Sequence, residues 1–273
     1  MTTLRSADGA SADVYLHGAH VTSWRPAPDH EERLFLSARS EFRDGAAIRG
    51  GIPVIFPQFA TEGPLPRHGF ARTSLWSLGT MQQSEGGDAV ASFTLTDSAA
   101  THAIWPAEFR LTLTVCVGGA RLQLVLGVEN TGASPFTFTC ALHSYLRVND
   151  IARAKVLGLQ GARYRESSAP TLLHVDNESA VRGTGPLDRV YVSAPRSVTL
   201  CEPDRAMGVD MMEFTDTVLW NPGAAAARAV ADMEPDGERA MLCIEAAVVQ
   251  RPITLAAGGR WQGTQTLDAG RQR

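Results

Sequence analysis

The chain is predicted to be all-β: a large antiparallel β-sandwich carrying one or two short helices. Three observations predict it. Apolar and polar residues alternate strictly in Leu111-Thr-Leu-Thr-Val-Cys-Val117 and Phe136-Thr-Phe-Thr-Cys140, the period-2 mark of half-buried strands. Turn signals such as Gly118-Gly119, Asn130-Thr-Gly132 and Gly258-Gly259 separate the apolar runs and suit hairpins and meanders. Strands seldom alternate with helices, which argues against a doubly wound α/β arrangement.

In chain order, strands are expected at 90–95, 111–117, 122–128, 136–142, 198–200, 218–220, 242–249 and 253–255. Gly118-Gly119 falls between the second and third of these, and Asn130-Thr-Gly132 between the third and fourth. Gly258-Gly259 turns the chain after the last. One stretch reads as a helix, residues 223–233, alanine-rich and opening just after Asn221-Pro222. No fixed-period repeat, low-complexity tract or interdomain linker interrupts the sequence, so residues 1–273 are expected to form one domain of two packed sheets.

With 44% hydrophobic and 20% charged residues, the chain can bury a full core as a soluble protein. Its net charge of −4 argues against a nucleic-acid partner, which needs a basic face, but is compatible with a local cationic pocket. Met1-Thr-Thr-Leu-Arg-Ser-Ala-Asp8 lacks the basic-then-apolar pattern of a signal peptide, and no apolar stretch is long enough to span a bilayer. A cytoplasmic protein with no membrane partner is expected. Cys116, Cys140, Cys201 and Cys243 are far apart and never form C-x-x-C, so reduced cysteines are expected rather than disulfides or a zinc site. His17-Gly-Ala-His20 lacks a third ligand at zinc spacing, and no phosphate-loop or dinucleotide fingerprint is present. No metal or cofactor is expected.

The densest polar cluster runs Arg49-Gly-Gly-Ile-Pro-Val-Ile-Phe-Pro-Gln58, then Pro66-Arg67-His68-Gly69-Phe70-Ala71-Arg72. Glycine and proline turns let backbone and side chains converge there, and a guanidinium fork suits bidentate capture of a phosphate. The plainer reading pairs these arginines with Glu41, Asp44 and Glu62. Taken as a set, they point to an anion site. His143 follows strand 136–142, and alternation puts it with Thr137, Thr139 and Ala141, opposite Phe136, Phe138 and Leu142. A histidine there can exchange a proton near neutrality, but it needs a partner. Glu245 interrupts the apolar run Met241-Leu-Cys-Ile-Glu-Ala-Ala-Val-Val249, where a carboxylate is costly without compensation. Two readings stay open for it: a buried pair with an arginine, or an acid–base role.

In order along nearly the whole chain, Leu16-His-Gly-Ala-His-Val-Thr-Ser-Trp24, Arg49-Gly-Gly-Ile-Pro-Val-Ile-Phe-Pro57, His68-Gly-Phe-Ala-Arg72, His143-Ser-Tyr-Leu146, Asp188-Arg-Val-Tyr191, Val218-Leu-Trp-Asn-Pro222 and Cys243-Ile-Glu245 form a recognisable series. It resembles the hexose-6-phosphate mutarotase branch of the aldose 1-epimerase, or galactose mutarotase-like, superfamily. The resemblance implies a twisted sandwich with its site on a concave sheet face. The implied reaction interconverts the anomers of a hexose 6-phosphate, glucose 6-phosphate foremost. His143 and Glu245 match the catalytic pair, acting from the two sides of the anomeric centre. Arg49 and Arg72 match the residues at the anionic end of the substrate, and His68 and Asp188 match further pocket residues. Arg67 stands where relatives often carry glutamine, and adds a positive charge. Asn149 and Pro186-Leu187 also depart from the pattern. The expected partner is a small phosphorylated sugar, and the expected state is a monomer. Two alternatives remain: an epimerase of unphosphorylated sugars, and a non-catalytic sugar-phosphate-binding protein on the same scaffold.

Overall fold

Residues 111–117 and 122–128 close onto each other, whereas 136–142 leaves 122–128 and enters a different sheet. In the computed structural model, which describes residues 1–271, Phe109–Gly118 and Arg121–Asn130 form a hairpin in register from Phe109↔Asn130 to Gly118↔Arg121. Ala89–Thr96 and Ser77–Gln83 extend it on one side. Arg260–Asp268, Ala206–Met212, Ser197–Cys201, Lys155–Leu157 and Val181–Arg182 extend it on the other, making nine strands. An eight-stranded sheet runs Ala169–Val175, Arg163–Glu166, Leu187–Val192, Asp216–Asn221, Met241–Leu255, Phe136–Leu142 and Val54–Ile55, with Tyr145–Arg147 also paired to Met241–Leu255. Thr2–Arg5, Ser11–Tyr15 and His20–Arg25 form a third, three-stranded sheet.

Antiparallel pairing gives each large sheet two distinct faces. Phe93, Leu113, Leu124 and Leu126 of one sheet join Phe138, Leu142, Leu219 and Ile244 of the other in a single apolar cluster. Each such side chain contributes about 1.5–3 kcal/mol on burial, so this layer fixes how the sheets sit together. The other face of the eight-stranded sheet is also covered. It buries Ile55, Ala141, Val190, Val218, Ala247 and Val249 in one cluster and Phe35, Tyr145, Met241 and Cys243 in another. The polar site lies on this second face.

Two segments differ from expectation. The helix over 223–233 is only Gly223–Ala227. Beyond it the chain tightens into i→i+3 turns, Val230 N–H to Ala227 O and Met233 N–H to Val230 O. In these turns Asp232 is held by tertiary contacts: its carboxylate meets Arg49 and its carbonyl accepts from Ser37 Oγ at 2.7 Å. Strands 242–249 and 253–255 are one strand, Met241–Leu255, whose register on Phe136–Leu142 shifts between Val248 and Ile253. There the Asp216 carboxylate accepts the N–H groups of Val249 and Gln250, each at 2.8 Å, and holds the irregularity. The four cysteines are free; Cys140, Cys201 and Cys243 are buried and Cys116 is half-buried. Among the described residues, no helix is long and apolar enough to cross a membrane.

Candidate active site

Period 2 decides what Met241–Leu255 offers to each side. Leu242, Ile244, Ala246 and Val248 enter the shared core, while Cys243, Glu245, Ala247 and Val249 face the other way. Glu245 is therefore 1% exposed among apolar neighbours, opposite Val218 of Asp216–Asn221. On its other flank the partner strand is interrupted. Phe136–Leu142 ends at the Leu142↔Ala246 pair, and pairing resumes at Tyr145↔Cys243. Between them, Ser144 N–H turns back to Leu142 O at 3.0 Å, and its hydroxyl is anchored in the core to Gln265 Oε1 at 2.6 Å. His143 is left beside Glu245, with its Nε2 3.3 Å from Glu245 Oε1. The two groups are side by side, not separated by the width of a sugar.

Aromatic contacts hold the imidazole. Tyr145, two residues on and on the same face, stacks on it with centroids 4.8 Å apart and planes 12° apart. Trp220 meets it edge-on at 5.9 Å. His143 Nδ1 and Glu245 Oε2 have no hydrogen-bond partner among the described residues. Two buried, unsatisfied polar atoms in one place are costly unless a ligand or water meets them. Burial pushes the Glu245 carboxyl well above its ordinary range, with Asp188 adding to the effect. Burial likewise holds His143 well below its ordinary value, helped by the positive field of His68, Arg72 and Arg49. Both shifts act against the charged forms of the two groups.

The arginine-bearing loops fold over this face because glycine lets them. Gly51 has φ of +60°, and a Cβ there would lie 2.2 Å from Val21 O and 2.7 Å from His20 Nε2. His20, fully buried, contacts Gly50 O through Nε2 at 2.7 Å and so fastens the turn that follows Arg49. Gly69 has φ of +66°, with Phe56 O only 2.1 Å from where its Cβ would be. His68 before it is also left-handed, at +65°. Its Nδ1 accepts the Ala60 N–H at 3.2 Å, which leaves the proton on Nε2. Burial and the field of Arg72 and Arg67 pull its pKa down to about 3, so it stays a neutral donor.

All seven candidate residues line one cavity of about 420 Å³: Arg49, Arg67, His68, Arg72, His143, Asp188 and Glu245. Their charges are not equivalent. Arg49 Nε donates to Asp232 at 3.1 Å and Nη1 to Tyr145 OH at 3.0 Å. Burial disfavours its charge, but these partners outweigh burial and hold it firmly protonated. Arg72 has no carboxylate partner among the described residues; Nη2 donates to Arg67 O at 3.2 Å, and its buried Nε bonds to nothing. Burial and the neighbouring Arg49 and Arg67 bring its pKa down to about 10, still a cation at neutral pH. Arg67 lies exposed at the rim. The plainer pairing is not what forms: Glu62 bonds Arg165 at 2.7 Å and Glu41 bonds Arg43 at 2.6 Å. Asp188, its carboxyl raised by burial, accepts Ser167 Oγ at 2.5 Å.

Tyr145, Trp220, Ser167 and Asp232 escaped the sequence reading. Tyr145 and Trp220 had a usable signal, since each lies two residues from a pocket residue on the same strand face. Asp232 had none, being 183 residues from Arg49 in a stretch that reads as helix.

Over residues 1–268 the chain matches the family described as aldose 1-epimerase. A protein of Cenchrus ciliaris is 34% identical over 275 residues, covering 97% of this chain and 83% of that one. One of Escherichia coli K12 is 36% identical over 241 residues, covering 86% and 79%. Both carry the provisional name glucose-6-phosphate 1-epimerase. A solved Salmonella typhimurium structure, provisionally described as a mutarotase, superposes with a TM-score of 0.88 at 31% identity, covering 96% of this chain and 88% of that one.

Proposed function

The chain belongs to the aldose 1-epimerase family, and from that premise we propose that it interconverts the α and β anomers of a hexose 6-phosphate, glucose 6-phosphate foremost. The observation that carries this reading is one cavity holding a buried carboxyl–imidazole contact of 3.3 Å together with a guanidinium, Arg72, that pairs with no carboxylate among the described residues. The contact supplies proton exchange. The free cation supplies a place for the phosphate.

Anomer exchange removes the proton from the C1 hydroxyl and delivers one to the ring oxygen. The ring opens to an aldehyde, the C1–C2 bond rotates, and closure occurs on the other carbonyl face. Both oxygens are bonded to C1, so two groups in contact can serve them from one side. Glu245 takes the O1 proton and His143 protonates the ring oxygen, with the roles exchanged on closure. One proton shared by the pair is the stock this requires. The reactive arrangement has it on His143. Each group in such catalysis contributes roughly 10²–10⁴-fold. His68, locked as a donor, and Asp188 orient sugar hydroxyls. Arg72, Arg67 and Arg49 hold the phosphate, whose remote binding positions the reacting end.

Magnetisation exchange by NMR between the anomers of glucose 6-phosphate tests this, with free glucose and galactose as controls. Faster exchange of the phosphorylated sugar is the expected result. Preference for a free sugar would move the assignment to an epimerase of unphosphorylated sugars. No acceleration of any would leave a binding protein.

A further inference from the structure

We propose that Gln265, on the nine-stranded sheet, is a positioning residue for the acid–base pair: its side-chain amide reaches through the core and stands in for one backbone hydrogen bond between the segments that carry His143 and Glu245. This rests on the mutarotase reading and deepens it, because it adds a third residue to the pair from outside the cavity.

Arg260–Asp268 alternates, burying Gly263, Gln265 and Leu267. Gln265 therefore occupies a core position, fully buried, with the buried Met211 and Leu124 as its partners on the two neighbouring strands. An amide in such a place is costly unless its polar atoms are met. They are met by the two residues next to the acid–base pair. Gln265 Oε1 accepts from Ser144 Oγ at 2.6 Å, and Nε2 donates to Ile244 O at 3.3 Å.

The strand register shows what these bonds replace. Leu142↔Ala246 and Tyr145↔Cys243 belong to one register, so His143 falls opposite Glu245 and Ser144 opposite Ile244. Facing residues at a hydrogen-bonded antiparallel position exchange two N–H···O bonds. Here one of them forms, from Ile244 N–H to Ser144 O at 3.1 Å. Ser144 N–H turns back to Leu142 O, and Ile244 O takes the Gln265 amide in its place. Ser144, Gln265 and Ile244 thus close a ring of three hydrogen bonds directly behind the His143–Glu245 contact. From the other flank, His143 N–H donates to Pro53 O at 3.0 Å and Tyr145 N–H to Gly51 O at 2.9 Å. The segment bearing the imidazole is fixed between the arginine loop and the opposite sheet.

Three variants test this: Ser144→Ala, Gln265→Met and the two combined. Methionine keeps an unbranched side chain of similar length in the core, and removing both partners strands no hydroxyl. The N–H at position 144 is then free to return to Ile244 O, which keeps the strands paired while the acid–base contact loses its geometry. A misplacement of about 1 Å costs about 10²-fold in rate. In glucose 6-phosphate exchange, kcat of the combined variant is expected to fall about 10- to 100-fold, with KM and inhibition by inorganic phosphate changing about threefold or less. The combined variant should be no slower than the slower single one, because the two side chains act as one bridge. Losses that add, a folded combined variant with unchanged kcat, or equal losses of kcat and phosphate binding overturn the proposal. If the combined variant does not fold, Ser144→Ala decides: a kcat lower by about tenfold supports the proposal and an unchanged one overturns it. The imidazole nitrogen resonances give a readout without turnover. Those of His143 should shift in the variants while those of His20, on the three-stranded sheet, stay in place; unmoved His143 resonances overturn the proposal. Absence of acceleration by the unaltered protein would instead overturn the mutarotase reading, and the resonances would still decide whether Gln265 places His143.

Discussion

Replacing Arg72 by methionine should weaken the enzyme and strengthen the fold at once. The guanidinium is half-buried, has no carboxylate partner among the described residues, and leaves its Nε without a hydrogen bond. Losing a buried partner of a charged group costs about 2–5 kcal/mol in binding; for this partly exposed site the lower part applies, about 2–3 kcal/mol. That corresponds to a rise of about 30- to 150-fold in KM for glucose 6-phosphate. KM for free glucose should change by about threefold or less, because no phosphate contact is lost. Methionine is similar in length and needs no counter-charge, so stability should increase by about 1 kcal/mol, or about 2 °C in Tm for a chain of this size. Anomer exchange kinetics on both sugars and a thermal melt measure the two effects. A variant that melts lower while keeping its KM for the phosphorylated sugar would show that Arg72 is structural and refute the reasoning.

Arg49→Met should have the opposite stability sign, since it strands Asp232 and the Tyr145 hydroxyl; a loss of about 1–3 kcal/mol by chemical denaturation is expected. Its KM effect should be smaller than that of Arg72→Met, about tenfold, because its charge is already shared with Asp232. Glu245→Gln and His143→Ala should each lower kcat by about 10²–10⁴-fold with near-UV circular dichroism unchanged; near-normal rates in both would sink the acid–base assignment. Stability should fall as pH drops from about 6.5, the unfolded histidine value, to about 4, where folded His20 takes up its proton. The group's folded pKa is depressed by burial, so its contribution is present above that window and lost through it, roughly 2–3 kcal/mol from His20. Urea denaturation at pH 7 and 4.5 measures this, and His20→Gln should reduce the difference by about 2–3 kcal/mol, leaving the part contributed by His68 and His143.

The strands were legible because period 2 is written in side chains that bury on one face. It failed where a strand buries little: Ala169–Val175, with no fully buried residue, carries no periodic signal. The same periodicity exposed the site. Glu245 stands out because it occupies a position where every neighbour is apolar, and His143 because it ends the polar face of its strand. Their contact was not legible. It depends on the interruption at Ser144, set by the bond to Gln265, 121 residues away.

Arg49 and Arg72 show most clearly where sequence reading stops and structure must continue. Both are arginines in glycine-rich loops, and nothing local distinguishes them. One meets an aspartate brought in by a segment whose alanine content reads as helix but whose helix ends at Ala227. The other meets no acid among the described residues. A cation already paired contributes chiefly to holding the loop and Tyr145 in place. A cation left unpaired destabilises the ligand-free protein and is compensated when an anion arrives. The uneven pairing therefore separates a residue that builds the pocket from one that awaits the substrate, and opposite stability signs for their methionine variants follow from that difference.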